Sequence, residues 1–175
     1  LHEAHGLGLI HRDIKPANIV LNQRGGVSDV VKLLDFGLVK VLDPQKQASL
    51  TSSGGLTGTP LYLSPEAIHS ATAVDARSDL YAVGAVGYFL LTGTPVFDGA
   101  SVLEIIRHHA ESPPQTPSER LGDAVSLDLE HVLLRCLAKR PEERPQSARQ
   151  LSDELAACAL LKVWSDADAD RWWRT

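Results

Sequence analysis

Methionine is absent from this chain of 175 residues, and only two cysteines occur, Cys136 and Cys158. Without a methionine the chain has no initiator, so a piece of a longer reading frame is expected. Two cysteines far apart, with no Cys-x-x-Cys spacing, argue against a disulfide framework and suit a reducing, cytoplasmic-type compartment. Long apolar runs are missing as well. The longest, Leu80 to Leu91, holds twelve residues, too short for a bilayer and right for a buried helix. Any membrane anchor would lie outside this segment. An excess of basic charge is also lacking: the formal net charge is −5, which argues against a nucleic-acid-binding surface. Seven histidines are present, but His2-x-x-His5 and His108-His109 have no Cys or carboxylate partners at ligand spacing, so a structural zinc site is not expected. What remains, 43% hydrophobic and 22% charged residues, is the balance of one globular domain with a proper core.

Patterning along the chain is mostly helical. Residues 1–7 read as the end of a helix stopped by Gly6 and Gly8. Ile19-Val20-Leu21 and Val30 to Leu34 are β-type runs on either side of a turn-rich stretch, Asn22 to Asp29, which predicts a hairpin with a long loop. Residues 43–60 are rich in Ser, Thr and Gly and read as a loop. Ser64-Pro65-Glu66 opens a helix with proline in its first turn. Residues 77–91 form an apolar helix closed by Gly93. Ser101 to Glu104 reads as a capping box, and Glu111 to Arg120 as a proline-bearing loop. Helical spacing returns at Leu129, Val132, Leu133, Cys136 and Leu137, with Pro141 ending that helix. It returns again at Ala148, Leu151, Leu155, Cys158 and Lys162. In the tail, Ser165-x-x-Asp168 starts a short helix, and Trp164, Trp172 and Trp173 are expected to pack on the back face.

The hairpin decides where chemistry would sit. Antiparallel pairing brings the start of its first strand beside the end of its second. Asn18 and Asp35 should therefore meet at one end, with Asp13 close by. Two oxygen ligands facing a carboxylate base make a site for Mg²⁺ and phosphate.

The residues in question form known motifs. His11-Arg12-Asp13-Ile14-Lys15-Pro16-Ala17-Asn18-Ile19-Val20, followed by Asp35-Phe36-Gly37, resembles the catalytic core of the Ser/Thr protein kinases, in particular the eukaryotic-like kinases of bacteria. The resemblance implies a fold and a set of roles. The fold would be the mainly α C-terminal lobe of a protein kinase, a helical bundle with a small β-hairpin at the catalytic cleft. That lobe would span 1–163, with a Trp-containing tail helix at 164–175. Asp13 would accept or orient the proton of the substrate hydroxyl, and Lys15 would neutralise charge on the moving phosphoryl group. Asn18 and Asp35 would hold Mg²⁺, and Val20 would floor the ATP pocket. His11 and Phe36 would pack the loop onto the core.

Downstream, Gly58-Thr59-Pro60-Leu61-Tyr62-Leu63-Ser64-Pro65-Glu66 resembles the substrate-docking loop and APE-type motif, with Ser64 in place of Ala. By that resemblance Thr59 would touch Asp13 and Lys15, and Glu66 would pair with Arg144. Asp79, in the first turn of the apolar helix, suits the helix dipole, and the resemblance adds backbone N–H groups of the 11–13 turn as its partners. Arg12 would grip a phosphate on the activation segment, with Thr51, Ser53 and Thr57 among the candidate acceptors. The cofactors implied are ATP and Mg²⁺. The partners are protein substrates bearing Ser or Thr, and a homodimer for autophosphorylation. The glycine-rich loop, strand lysine and helix glutamate of a complete kinase are not in these 175 residues, so the piece alone is expected to be nearly inactive. The other reading is a non-catalytic lobe that binds proteins through its docking loop and helix 101–110.

Overall fold

The structure, a computed structural model, describes residues 1–35, 60–70, 73–159 and 164–174. These residues form eight α-helices and one two-stranded antiparallel sheet. Helix α1 (His2–Gly6) leads to the irregular segment 7–15, a 3₁₀ turn at Pro16–Asn18, and the hairpin β1 (Ile19–Arg24) and β2 (Val27–Leu33). Then come α2 (Pro65–His69), α3 (Ala76–Thr92), α4 (Val102–Glu111), α5 (Pro117–Leu121), α6 (Leu127–Cys136), α7 (Ala148–Ala157) and α8 (Asp166–Trp173).

Helix α3 is the axis of the lobe. Its sequence is apolar all round, and a helix of that kind is stable only when enclosed. Leu80, Tyr81, Ala82, Ala85, Val86 and Tyr88 are buried on different sides of it. On one side Tyr81, Ala85 and Tyr88 meet Val96, Phe97 and Leu137. On another Leu80 meets Val132, Cys136 and Leu151. On a third Ala82 and Val86 meet Ile14 of the segment before the hairpin. Each fully buried valine, leucine, isoleucine or phenylalanine side chain contributes about 1.5–3 kcal/mol. Gly84 and Gly87 let α6 approach: a Cβ at 84 would overlap Cβ of Cys136, and one at 87 would press on the tip of Leu133. Asp75 caps the start of α3 by accepting from the Arg77 N–H at 2.8 Å. Gly93 closes it with φ 72°, a conformation that glycine reaches without a Cβ penalty.

The hairpin is tighter than the sequence predicts. Asn22 to Asp29 is not a long loop: both strands run on until only Gly25-Gly26 separates them, with φ 59° and 82°. Two adjacent positive-φ residues allow a two-residue turn, so polar residues that look like loop are drawn into the ladder. Ile19 pairs with Leu33 and Val20 with Lys32, with an irregularity between Asn22 and Arg24.

Three further boundaries differ from expectation. Residues 111–120 are not all loop, because Thr116 caps α5 with a full capping box and Pro117 takes its first position. Glu104 does not complete a box with Ser101; Ser101 Oγ accepts from the Glu104 N–H, but the Glu104 carboxylate takes the Ala100 N–H at 2.8 Å. Helix α6 ends at Cys136, five residues before Pro141.

The tail does form the expected capped helix, yet its tryptophans do not simply pack. Trp164 and Trp172 are about half exposed. Trp164 and Trp173 instead donate their indole N–H groups to Asp29 of β2. Among the described residues no helix is long and apolar enough to cross a membrane.

Candidate active site

The segment 11–18 is pinned from below by one buried carboxylate. Asp79, 1% exposed in the first turn of α3, accepts the backbone N–H of His11 at 2.8 Å and of Arg12 at 2.9 Å. His5, from the last turn of α1, meets the same carboxylate through Nε2 at 2.8 Å. Arg12 stands at φ 67°, a left-handed conformation that costs a non-glycine residue about 1–3 kcal/mol, and the bonds to Asp79 hold it there. His11 is fully buried and ties the turn to the hairpin. Its Nδ1 accepts from the Asp13 N–H at 3.3 Å, which leaves the proton on Nε2 to be donated to the Leu34 carbonyl at 2.9 Å.

Above this anchor three polar side chains converge. Lys15 Nζ donates to Asp13 Oδ2 at 2.9 Å. Asn18 Nδ2 donates to the Asp13 carbonyl at 2.7 Å and to Asp13 Oδ2 at 3.1 Å. Asn18 is 6% exposed. Its amide nitrogen is committed to Asp13, so its amide oxygen is the atom with which it could meet a ligand. The Leu34 N–H reaches the Asn18 carbonyl at 2.9 Å, which sets Asp35 at the same end of the hairpin. Asp35 also has positive φ, 58°. An amide oxygen and a carboxylate are hard oxygen donors, a set that fits Mg²⁺. Val20, 40% exposed, lies on the hairpin next to this end.

Farther down, Glu66 and Arg144 meet as a two-pronged pair. Arg144 Nη1 donates to Glu66 Oε1 at 2.8 Å and Nη2 to Oε2 at 2.7 Å. The guanidinium is fully enclosed, and its remaining donors reach the carbonyls of Ala138, Arg77 and Lys139, so all five N–H groups are used. The Ser78 hydroxyl donates to Glu66 as well. Burial pulls the Glu66 carboxyl upward, but the Arg144 and Ser78 hydrogen bonds outweigh it and hold the group below its ordinary value.

Comparison with known proteins decides the family: the protein kinase domain family matches residues 1–155. The chain belongs to the protein kinase family. Its relatives are bacterial Ser/Thr kinases of the eukaryotic-like type. It is 43% identical over 159 residues to the serine/threonine-protein kinase pkn3 of Myxococcus xanthus, covering 90% of this chain and 29% of that protein. It is 40% identical over 174 residues to the serine/threonine-protein kinase PknB of Mycobacterium leprae, covering 96% of this chain and 27% of that one. The chain thus spans about a quarter of the length of these relatives.

Within the kinase lobe, Asp13, Lys15 and Asn18 are in direct contact and Asp35 stands at the same hairpin end. Glu66 meets Arg144, and Asp79 meets the 11–12 backbone. Arg12 is exposed. Phe36, Thr51, Ser53, Thr57 and Thr59 lie outside the described residues.

Other polar groups were not legible in the sequence. His5 joins Asp79 from a helix that carries no motif. His109 is buried beneath α4, where Tyr81 Oη meets its Nδ1 at 2.8 Å. Burial, helped by the nearby Lys139 charge, pushes the His109 imidazole down to about 3. Lys139 caps α4 through the carbonyls of His108 and His109 at 3.2 and 2.8 Å and lies 4.6 Å from the centre of the Phe97 ring. Lys139 follows the end of α6 and not of α4, so no local pattern in the sequence marks that role.

Proposed function

We propose that this chain is the catalytic lower lobe of a Ser/Thr protein kinase that transfers the γ-phosphoryl group of ATP to a Ser or Thr hydroxyl of a protein. The observation that carries this reading is the Asp13–Lys15–Asn18 cluster, built on a backbone turn that Asp79 holds in a strained conformation. Asp13 would take or orient the hydroxyl proton as the hydroxyl oxygen bonds to the γ-phosphorus and the bond from phosphorus to the bridging oxygen of ADP breaks. Lys15, already 2.9 Å from Asp13, would balance the negative charge gathered on the phosphoryl oxygens. Asn18 is fixed by Asp13 so that the base and a metal ligand share one rigid unit. Asp35 would complete the ligand pair from just beyond the end of β2. Mg²⁺, when bound, neutralises the phosphate charge between nucleotide and lobe.

The reading extends to control. Arg12 is exposed beside the base and offers a guanidinium to a phosphorylated activation segment, with Thr51, Ser53 and Thr57 as acceptors. The lobe by itself would be nearly inactive, because the glycine-rich loop, strand lysine and helix glutamate of a complete kinase are not among these 175 residues. The test is phosphoryl transfer to a protein substrate by the full-length protein, with Asp13→Asn as the control. Loss of a base of this kind should lower the rate by about 10²–10⁴-fold. Transfer by Asp13→Asn at the unaltered rate would overturn the assignment.

A further inference from the structure

Helix α8 grips the hairpin chiefly through one carboxylate of β2. Asp29 lies in β2, and its two oxygens are taken one each by two indoles: Trp164 Nε1 donates to Oδ2 at 2.7 Å and Trp173 Nε1 to Oδ1 at 2.8 Å. The neighbouring Ser28 hydroxyl donates to Asp170 at 3.1 Å and itself receives the Gln23 amide at 3.1 Å, so both strands are engaged. Helix α8 is built to present this grip. Ser165 and Asp168 form a reciprocal capping box at its start, Ala169 is buried under it, and Trp172 braces Trp173 edge-to-face at 5.0 Å.

The hairpin needs such a hold. A two-stranded hairpin is marginal by itself, and every residue of β1 after Ile19 is exposed. Ser28, Asp29 and Val30 of β2, half-buried, are the stretch at which the tail is bonded. The other end of the hairpin is tied down separately, by the Asn18–Leu34 and His11–Leu34 bonds. Asp29 has φ 58°, so its side chain is set by a left-handed backbone that few residues adopt.

We propose that the C-terminal helix is a clasp, with Asp29 as its catch, that holds the distal half of the hairpin and thereby positions Asn18 and Asp35 at the proximal end. Asp29 is then a positioning residue. The part concerning Asn18 and Asp35 rests on the phosphoryl-transfer reading; the clasp itself does not.

The test compares the full-length protein with Asp29→Gly and with the pair Trp164→Phe and Trp173→Phe. Glycine keeps the positive φ and removes both acceptors, whereas phenylalanine keeps most of the ring packing and removes both donors. Backbone amide exchange is followed by mass spectrometry on peptides from the hairpin and the tail. Protection of residues 22–31 and 165–173 should fall by about tenfold or more in both variants while helix α3 keeps its protection. Unchanged exchange in these peptides would overturn the clasp. If Asp29→Gly loses protection everywhere, the tryptophan pair, which leaves β2 unaltered, decides. In the phosphoryl-transfer assay the Mg²⁺ concentration for half-maximal rate should rise by about threefold or more with kcat nearly retained. Loss of hairpin protection without a change in Mg²⁺ dependence would overturn the positioning role and leave the clasp standing. A wild-type protein without transfer would overturn the kinase reading, and exchange would still decide the clasp.

Discussion

Arg144→Ala tests the internal architecture of the lobe most severely. Arg144 is 1% exposed and spends five donors on Glu66 and three backbone carbonyls. Alanine would leave the Glu66 carboxylate, with 10% side-chain exposure, facing the Ser78 hydroxyl and its own backbone N–H without a countercharge, and would strip the carbonyls of Ala138, Arg77 and Lys139 of a donor. The five bonds are not five independent increments, because forming the pair already costs the desolvation of both ions. The relevant magnitude is that of removing one partner from a buried pair, about 3–5 kcal/mol. For a chain of this length that is a fall in Tm of roughly 6–20 °C. Thermal unfolding followed by circular dichroism measures it. A second variant separates charge from packing: Glu66→Gln with Arg144→Met removes both charges and keeps volume, so it should be more stable than Arg144→Ala alone. The effect carries a pH signature. The Glu66 carboxyl is depressed, so its contribution is present above its unfolded value of 4.5 and is lost as pH falls through the lower folded value. The gap between wild type and Arg144→Ala should therefore close in acid. A Tm within about 2 °C of wild type at neutral pH would refute the reasoning, since that is less than about 1 kcal/mol.

Other outcomes follow from single contacts. His109, held down to about 3 from 6.5, stays neutral while the unfolded chain takes up a proton. Between those values the unfolded state binds more protons, so stability falls as pH drops from 6.5 toward 3, by up to about 1.4 kcal/mol per pH unit. His109→Gln, which keeps an acceptor for Tyr81, should flatten that slope in urea titrations at several pH values. Gly84→Ala should destabilise more than Gly87→Ala. At 84 the obstacle is a Cβ rigidly attached to α6, and at 87 it is the far end of the Leu133 side chain, which can rotate. The overpacking cost at 84 is about 1–3 kcal/mol, read from the midpoint of a denaturant curve.

The amino-acid sequence by itself pointed to the proposed chemistry. His11 to Val20 and Asp35 carry the resemblance from which their proposed roles come, and they were legible because short-range spacing survives folding. Strand pairing then told that Asn18 and Asp35 would share one end, and the apolar run at 80–91 marked the central helix. Other features depended on contacts between residues far apart in the chain. The Glu66–Arg144 pair spans 78 positions and was suggested only by family resemblance; what the tertiary structure added is that five donors are satisfied at once. His5 on Asp79 joins helices 74 positions apart, and no local pattern marks it. The hairpin looked looser than it is, because polar residues enter a ladder for its backbone bonds and not for their side chains. The tail was the largest difference. Its capped helix was legible from Ser165 and Asp168, but its partner was not, since a half-exposed tryptophan shows no periodicity that points to an aspartate 135 residues away. Local backbone preference and side-chain chemistry are written residue by residue; which carboxylate an indole or a guanidinium meets is settled only when the elements pack.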